Sequence, residues 1–190
     1  MCTINKKIKS RNERKKKEWI ERGYTLVAED GFERLSVNSI SRLVGKSKSS
    51  FYHHFGDLEL FKTDLLDYHV KQVNIFSGKI SKSDNIYPSL IHVFVEHQSD
   101  IFFHKQLRIH RRNPTYKKHI ENIFQVYENA VLEQWNIHFS LNHQKLFSKK
   151  LIRFISEHFF LSITYEEYTF DWLKNYLNQI FDLIQHMKTV

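Results

Sequence analysis

The chain has 190 residues, 41% of them hydrophobic, a single cysteine and a formal net charge of +8. That length suits one large domain or a small module fused to a larger body. One cysteine excludes a disulfide framework or thiolate metal site within the chain, and no apolar run reaches the roughly 18 residues of a membrane span. The expected setting is a reducing cytoplasm.

Only 5 Gly and 2 Pro interrupt a sequence rich in Leu, Ile, Lys and Glu at helical spacings, so an all-α chain of long helices and short connections is expected. The charge is segregated. Residues 1–56 hold 13 Lys and Arg against 6 Asp and Glu, whereas residues 57–190 hold 16 against 15. A basic first third on a nearly neutral body suggests a polyanion-binding module with an attached domain.

Residues 1–17 carry Lys6, Lys7, Lys9, Arg11, Arg14, Lys15, Lys16 and Lys17 with one acid, Glu13, and read as a basic N-terminal arm running into a helix. Trp19, Gly23, Leu26 and Val27 then share one helical face that ends near Asp30-Gly31. Ser36 reads as the N-cap of a short helix through Val37, Ile40, Leu43 and Val44, stopped by Gly45. Ser47 caps the next, whose apolar members Phe51 and Phe55 lie four apart. Gly56 breaks it, and Asp57 caps a longer helix toward Phe76. After a polar stretch, Gly78 to Asn85, further helices are expected at about 88–103, 105–112, 114–138, 143–163 and 170–187, within two to four residues at each end. The divisions expected are the arm (1–17), a small three-helix module (18–56) and a larger helical body (57–190).

Two short helices joined by a glycine turn behind a supporting helix form a helix-turn-helix, whose second helix fits the roughly 12 Å wide major groove. With Phe51 and Phe55 holding that helix to the core, Lys48, Ser49, Ser50, Tyr52, His53 and His54 are left to face outward or sideways toward a duplex. Small residues at its start allow close approach to base edges. Lys48 can donate to guanine, and Tyr52 and His54 can donate to phosphate oxygens. His53 is the outward residue best suited to a base or sugar edge.

The segment LSVNSISRLVGKSKSSFYHHFGDLELF (residues 35–61), preceded by LVAEDGF (26–32), resembles the N-terminal domain of the TetR/AcrR family of bacterial transcriptional regulators. The most specific element is Phe51-Tyr52-His53-His54-Phe55. The resemblance implies that the helix after Gly45 reads an operator and that Ser36, Tyr52 and His54 contact backbone phosphates. Three positions depart from the family pattern: Lys46 replaces an aliphatic turn residue, Ser49 a frequent Gly or Ala, and Leu58 a phosphate-binding Lys. Lys46, Lys48 and the long basic arm can supply replacement charge.

The resemblance further implies a ligand-responsive regulator, most often a repressor, that binds a pseudo-palindromic operator as a homodimer. For the effector pocket the aromatic residues Phe102, Phe103, Tyr116, Phe124 and Tyr127 are candidates, with Phe94 and Trp135 nearby in sequence, although aromatics at this spacing also make plain core. For the dimer interface the wide apolar arcs of the last two helices offer Ile152, Phe159, Leu173, Tyr176, Leu177, Ile180 and Ile184. Residues 104–119 carry six Lys and Arg and no acid, a solvated face or an attraction for a ligand or DNA.

His92, Glu96 and His97 lack a fourth donor, so no metal and no cofactor are expected. No glycine-rich phosphate loop or nucleophile motif is visible, and the chain is not expected to be an enzyme. The alternatives are an architectural DNA-binding protein without effector control and, behind it, a metal-dependent enzyme.

Overall fold

The computed structural model describes residues 2–139 and 145–188, with side chains described from 12 to 139 and from 146 to 186. These residues form nine α-helices: α1 (Cys2–Asp30), α2 (Val37–Val44), α3 (Lys48–Phe55), α4 (Leu58–Ile80), α5 (Ile91–Glu96), α6 (Gln98–Ile109), α7 (Pro114–His138), α8 (Lys145–Ser162) and α9 (Phe170–Lys188). The all-α expectation holds, with no strand among the described residues.

Helix α1 begins well before Trp19 and runs through the whole basic segment. The side chains of Lys6, Lys7, Lys9 and Arg11 lie outside the described residues. Trp19, Phe51, Phe55 and Phe61 meet edge to face with ring centroids 4.6–6.3 Å apart, which knits α1, α3 and α4 into the small N-terminal core. Gly23 lets α1 cross α4 closely: a β-carbon there would stand 2.5 Å from Phe61 Cζ.

Helix α4 continues through Gly78 to Ile80, past the break expected there. Phe76 and Ile80 are buried, and their tertiary packing outweighs the roughly 1 kcal/mol cost of a helical glycine. The helix expected at 88–103 is instead three pieces. A π-type turn, Ile86–Leu90, contains Pro88 and is capped by Asn85, whose Oδ1 accepts from Ser89 N–H. Helix α5 follows, and the chain breaks again at His97, where Nδ1 lies 2.6 Å from Asp100 Oδ2 in the interior. A buried polar pair thus divides a segment whose apolar pattern reads as continuous. Pro114 opens α7 behind an Asn113 cap, as its position suggests.

Helix α6 lies along α1, and α4 packs against α7, so the long α4 belongs to both cores. Helices α8 and α9 close the body through Phe159, Trp172 and Tyr176, with the Tyr176 hydroxyl donating to Ile155 O at 3.2 Å. No described helix is long and apolar enough to cross a membrane.

Candidate nucleic-acid interface

The geometry of α2 and α3 is set by short-range chemistry. Ser39 N–H donates to Ser36 Oγ at 3.0 Å and Ser36 N–H donates to Ser39 Oγ at 2.9 Å, a reciprocal cap on α2. Gly45 follows α2 with φ 68° and ψ 35°, a left-handed conformation that disfavours any side chain, although a β-carbon there would touch nothing. Ser47 then accepts from Ser50 N–H at 3.2 Å and starts α3.

Phe51 and Phe55 are buried, which fixes the roll of α3. Lys46, Lys48, Ser49, Tyr52 and His53 are exposed, with Tyr52 at 52%, while Ser50 and His54 are half-buried. Tyr52 meets the buried Phe51 ring edge to face at 5.7 Å and leaves about half of its own surface in solvent, where a partner can reach it. The seven α3-side candidates therefore share one rim, and Ser36 sits at the exposed N-terminus of α2.

Helix α1 adds charge that local pattern alone assigned to the arm. Burial first, then the neighbouring His53, Lys15 and Lys16, hold His54 below the usual imidazole range. Lys16 also lies over the Phe55 ring at 5.3 Å and pairs with Asp64 at 2.7 Å. The basic segment thus flanks the far end of α3. By contrast the start of α4 is less suited to phosphate: Leu58 is half-buried, Asp57 caps Leu60 N–H at 2.8 Å, and Lys62 is paired with Glu59 at 2.7 Å.

Residues 19–66 match the family model described as bacterial regulatory proteins, tetR family. The N-terminal domain belongs to the TetR family. This is a DNA-binding domain of transcriptional regulators, and α2 and α3 lie wholly within the matched residues. Solved structures of similar fold include a TetR-family transcriptional regulator from Mesorhizobium loti MAFF303099, with a TM-score of 0.63 at 14% identity, covering 93% of this chain and 98% of that one. A transcriptional regulator from Streptomyces coelicolor A3(2) aligns with a TM-score of 0.52 at 14% identity over 86% of this chain and 98% of that one. A TetR-family regulator from Rhodococcus sp. aligns with a TM-score of 0.54 at 12% identity over 88% and 99%. At these identities the likeness is one of fold, and it extends through the body beyond the TetR-family domain. Among curated proteins, none matches the sequence.

The body holds an apolar cavity of about 150 Å³ walled by α4 to α9. Of the candidate pocket residues, Phe124 and Tyr127 line it, as do Phe94 and Trp135. The others pack elsewhere: Phe102 against Tyr165 and Tyr168, Phe103 stacked on Tyr24 at 4.2 Å, and Tyr116 stacked on Phe32 at 5.1 Å. Those three residues of α6 and α7 turn toward α1, the α1–α2 connection or the α8–α9 loop, a direction that only the crossing of helices sets.

The candidate dimer residues also face inward. Ile152, Phe159, Leu173, Tyr176 and Leu177 line the same cavity, and Ile180 and Ile184 are buried. The apolar residues that α8 and α9 expose are different ones: Leu146, Phe147, Phe154, Leu161 and Leu183. Each wide apolar arc is thus split, with the inner part consumed by the cavity wall.

The basic stretch 104–119 is divided as well. His104 is buried, Lys105 donates to Ile163 O, Arg108 and the exposed Arg111 both pair with Glu157, and Arg112, Lys117 and Lys118 are exposed. His92, Glu96 and His97 go to three separate partners: the Phe170 ring, Lys79 and Asp100.

A buried polar chain that sequence pattern gave no sign of runs between the two domains. The Tyr24 hydroxyl on α1 donates to Asp100 Oδ1 at 2.9 Å and lies 2.6 Å from His69 Nδ1 on α4. His69 Nε2 lies 3.4 Å from His104 Nδ1 on α6. Both histidines are held neutral by burial. His69 lies well below the ordinary imidazole value, and His104 is lowered to about 3 by burial, Arg108 and His119.

Proposed function

We propose that this chain is a ligand-responsive transcriptional regulator, acting as a repressor, which binds a pseudo-palindromic operator as a homodimer. The observation that carries the reading is the doubly capped helix-turn-helix, with Lys48, Ser49, Tyr52 and His53 exposed around two buried phenylalanines. In this reading Lys48 and Ser49 at the start of α3 meet base edges, with Lys46 and Ser50 beside them, and His53 reaches a base or sugar. Ser36, Tyr52 and His54 donate to flanking phosphates, and Lys15 and Lys16 extend the electrostatic contact.

Dimerisation is supported by the exposed face of α8. Phe147, Phe154 and Leu161 recur every seven residues, which puts them on one stripe, and Leu161 is 84% exposed. A second copy packed on that stripe would hide it and set two recognition helices roughly 34 Å apart. Phe154→Glu is expected to leave the fold intact and yield monomers by sedimentation. A dimer unaffected by both Phe154→Glu and Leu161→Glu would place the interface elsewhere.

Ligand response is supported by the position of the cavity on α4, the helix that also buries Phe61 in the N-terminal core. A ligand that favours one setting of α4 shifts the recognition-helix separation and lowers operator affinity by linkage. Selection of bound duplexes from a random pool tests the central reading. An inverted repeat with half-sites one turn apart is expected. Salt-sensitive binding with no shared sequence would replace the regulator by an architectural protein that grips only the backbone.

A further inference from the structure

The cavity wall is apolar apart from a few polar atoms, and their protonation can be worked out. Asp100 accepts at both oxygens, from the Tyr24 hydroxyl at 2.9 Å and from His97 Nδ1 at 2.6 Å. Tyr24 has one hydroxyl proton, already given to Asp100, so His69 Nδ1 must be the N–H that donates to the Tyr24 oxygen. Neutral His69 then has a bare Nε2, which accepts from His104 Nδ1–H. It follows that His104 Nε2, on the opposite edge of a ring that lines the cavity, is an acceptor without a proton.

Beside His104 stands Tyr127, with ring centroids 6.0 Å apart. Its hydroxyl is buried and has no hydrogen-bond partner in the protein. A phenol kept fully protonated by burial and by nearby Asp100 is a donor in want of an acceptor. The cavity wall therefore presents a donor and an acceptor on neighbouring rings, and the Trp135 Nε1–H in the same wall is a second buried donor without a partner.

The charges around it are already matched. Glu128 pairs with Lys149 at 3.0 Å, and Arg108 pairs with Glu157 while stacking on the Phe160 ring at 4.7 Å. An ionised ligand would lose its hydration without a free counter-charge, so a neutral one is favoured. A cavity of about 150 Å³ has room for about one substituted ring.

We propose that the cavity binds a small neutral ring-sized molecule bearing a hydroxyl, which accepts from the Tyr127 O–H and donates to His104 Nε2. This rests on the effector reading above and names the chemical class of that ligand. The same hydroxyl touches the terminal member of the chain His104–His69–Tyr24, which reaches α1 of the DNA-binding domain. Occupancy is thereby felt by a residue of the TetR-family domain as well as by α4.

The test uses the full chain and two probes of nearly equal size, 4-ethylphenol and ethylbenzene, with binding measured by calorimetry. The phenol is expected to bind roughly ten-fold more tightly than the hydrocarbon, the share of one well-placed hydrogen bond. Tyr127→Phe removes an oxygen that bonds nothing in the protein, and should leave the melting temperature unchanged while erasing the preference. His104→Phe should erase it as well. Equal binding of both probes overturns the hydroxyl class, and a preference that survives Tyr127→Phe overturns the assignment of the hydroxyl to Tyr127 and His104; either result leaves the cavity as an effector site. Binding of neither probe overturns the effector reading and this inference with it.

Discussion

Helix α3 and the cavity are built in opposite senses. In α3 the aromatic anchors Phe51 and Phe55 point in, and Lys48, Ser49, Tyr52 and His53 point out. In the body the aromatic residues surround the cavity, and the few polar groups of its wall, Tyr127 and His104 among them, belong to its lining. A surface that meets a polyanion must carry its chemistry on the outside of a short, locally capped element, where sequence spacing reveals it. A site that meets a small apolar molecule is defined by what six helices leave unfilled.

The largest effect that would break this contrast is in the N-terminal core. Phe51→Ala should cost about 3–5 kcal/mol, since the ring is wholly buried between Trp19 and Phe61. Denaturant unfolding followed through Trp19 is expected to show it, with loss of operator binding. A small change would mean that α3 is held by its caps rather than by its aromatic anchors.

Next comes acid. Histidine in the unfolded chain titrates near 6.5, while buried His69 stays neutral well below that and His104 stays neutral to about 3. Between those limits the unfolded state binds protons that the folded state refuses, so stability falls as pH drops below 6.5. Each histidine contributes about 1.4 kcal/mol per pH unit. His104→Gln should flatten the dependence measured by urea unfolding between pH 7 and 4.5; an unchanged slope would assign the acid sensitivity to groups other than His104, His69 first among them.

Smaller effects sharpen the surface half of the comparison. Lys48→Ala should change base preference by about 1–3 kcal/mol at one position, whereas Tyr52→Phe should weaken binding uniformly across sequences. Competition binding at two salt concentrations separates the two patterns. Identical profiles would remove α3 from base readout. Smallest of all, Ser47→Ala should cost about 1 kcal/mol of stability, because one N-terminal N–H of α3 loses its acceptor.

By itself the sequence determined the all-α class and the helix-turn-helix with its caps, because these depend on residues a few positions apart: Ser36 with Ser39, Gly45 at a left-handed φ, Phe51 with Phe55. The outward set on α3 followed from the same spacing. Only the tertiary structure decided which side of each later helix faces the interior. The apolar arcs of α8 and α9 hold both Phe159, in the cavity wall, and Phe154, in solvent, and nothing in their spacing ranks one above the other. Likewise Tyr24, His69, Asp100 and His104 lie up to 80 residues apart and become a hydrogen-bonded chain only where α1, α4 and α6 cross. Burial is a property of packed surfaces, and a polar residue shows no sign of its buried partner until those surfaces meet.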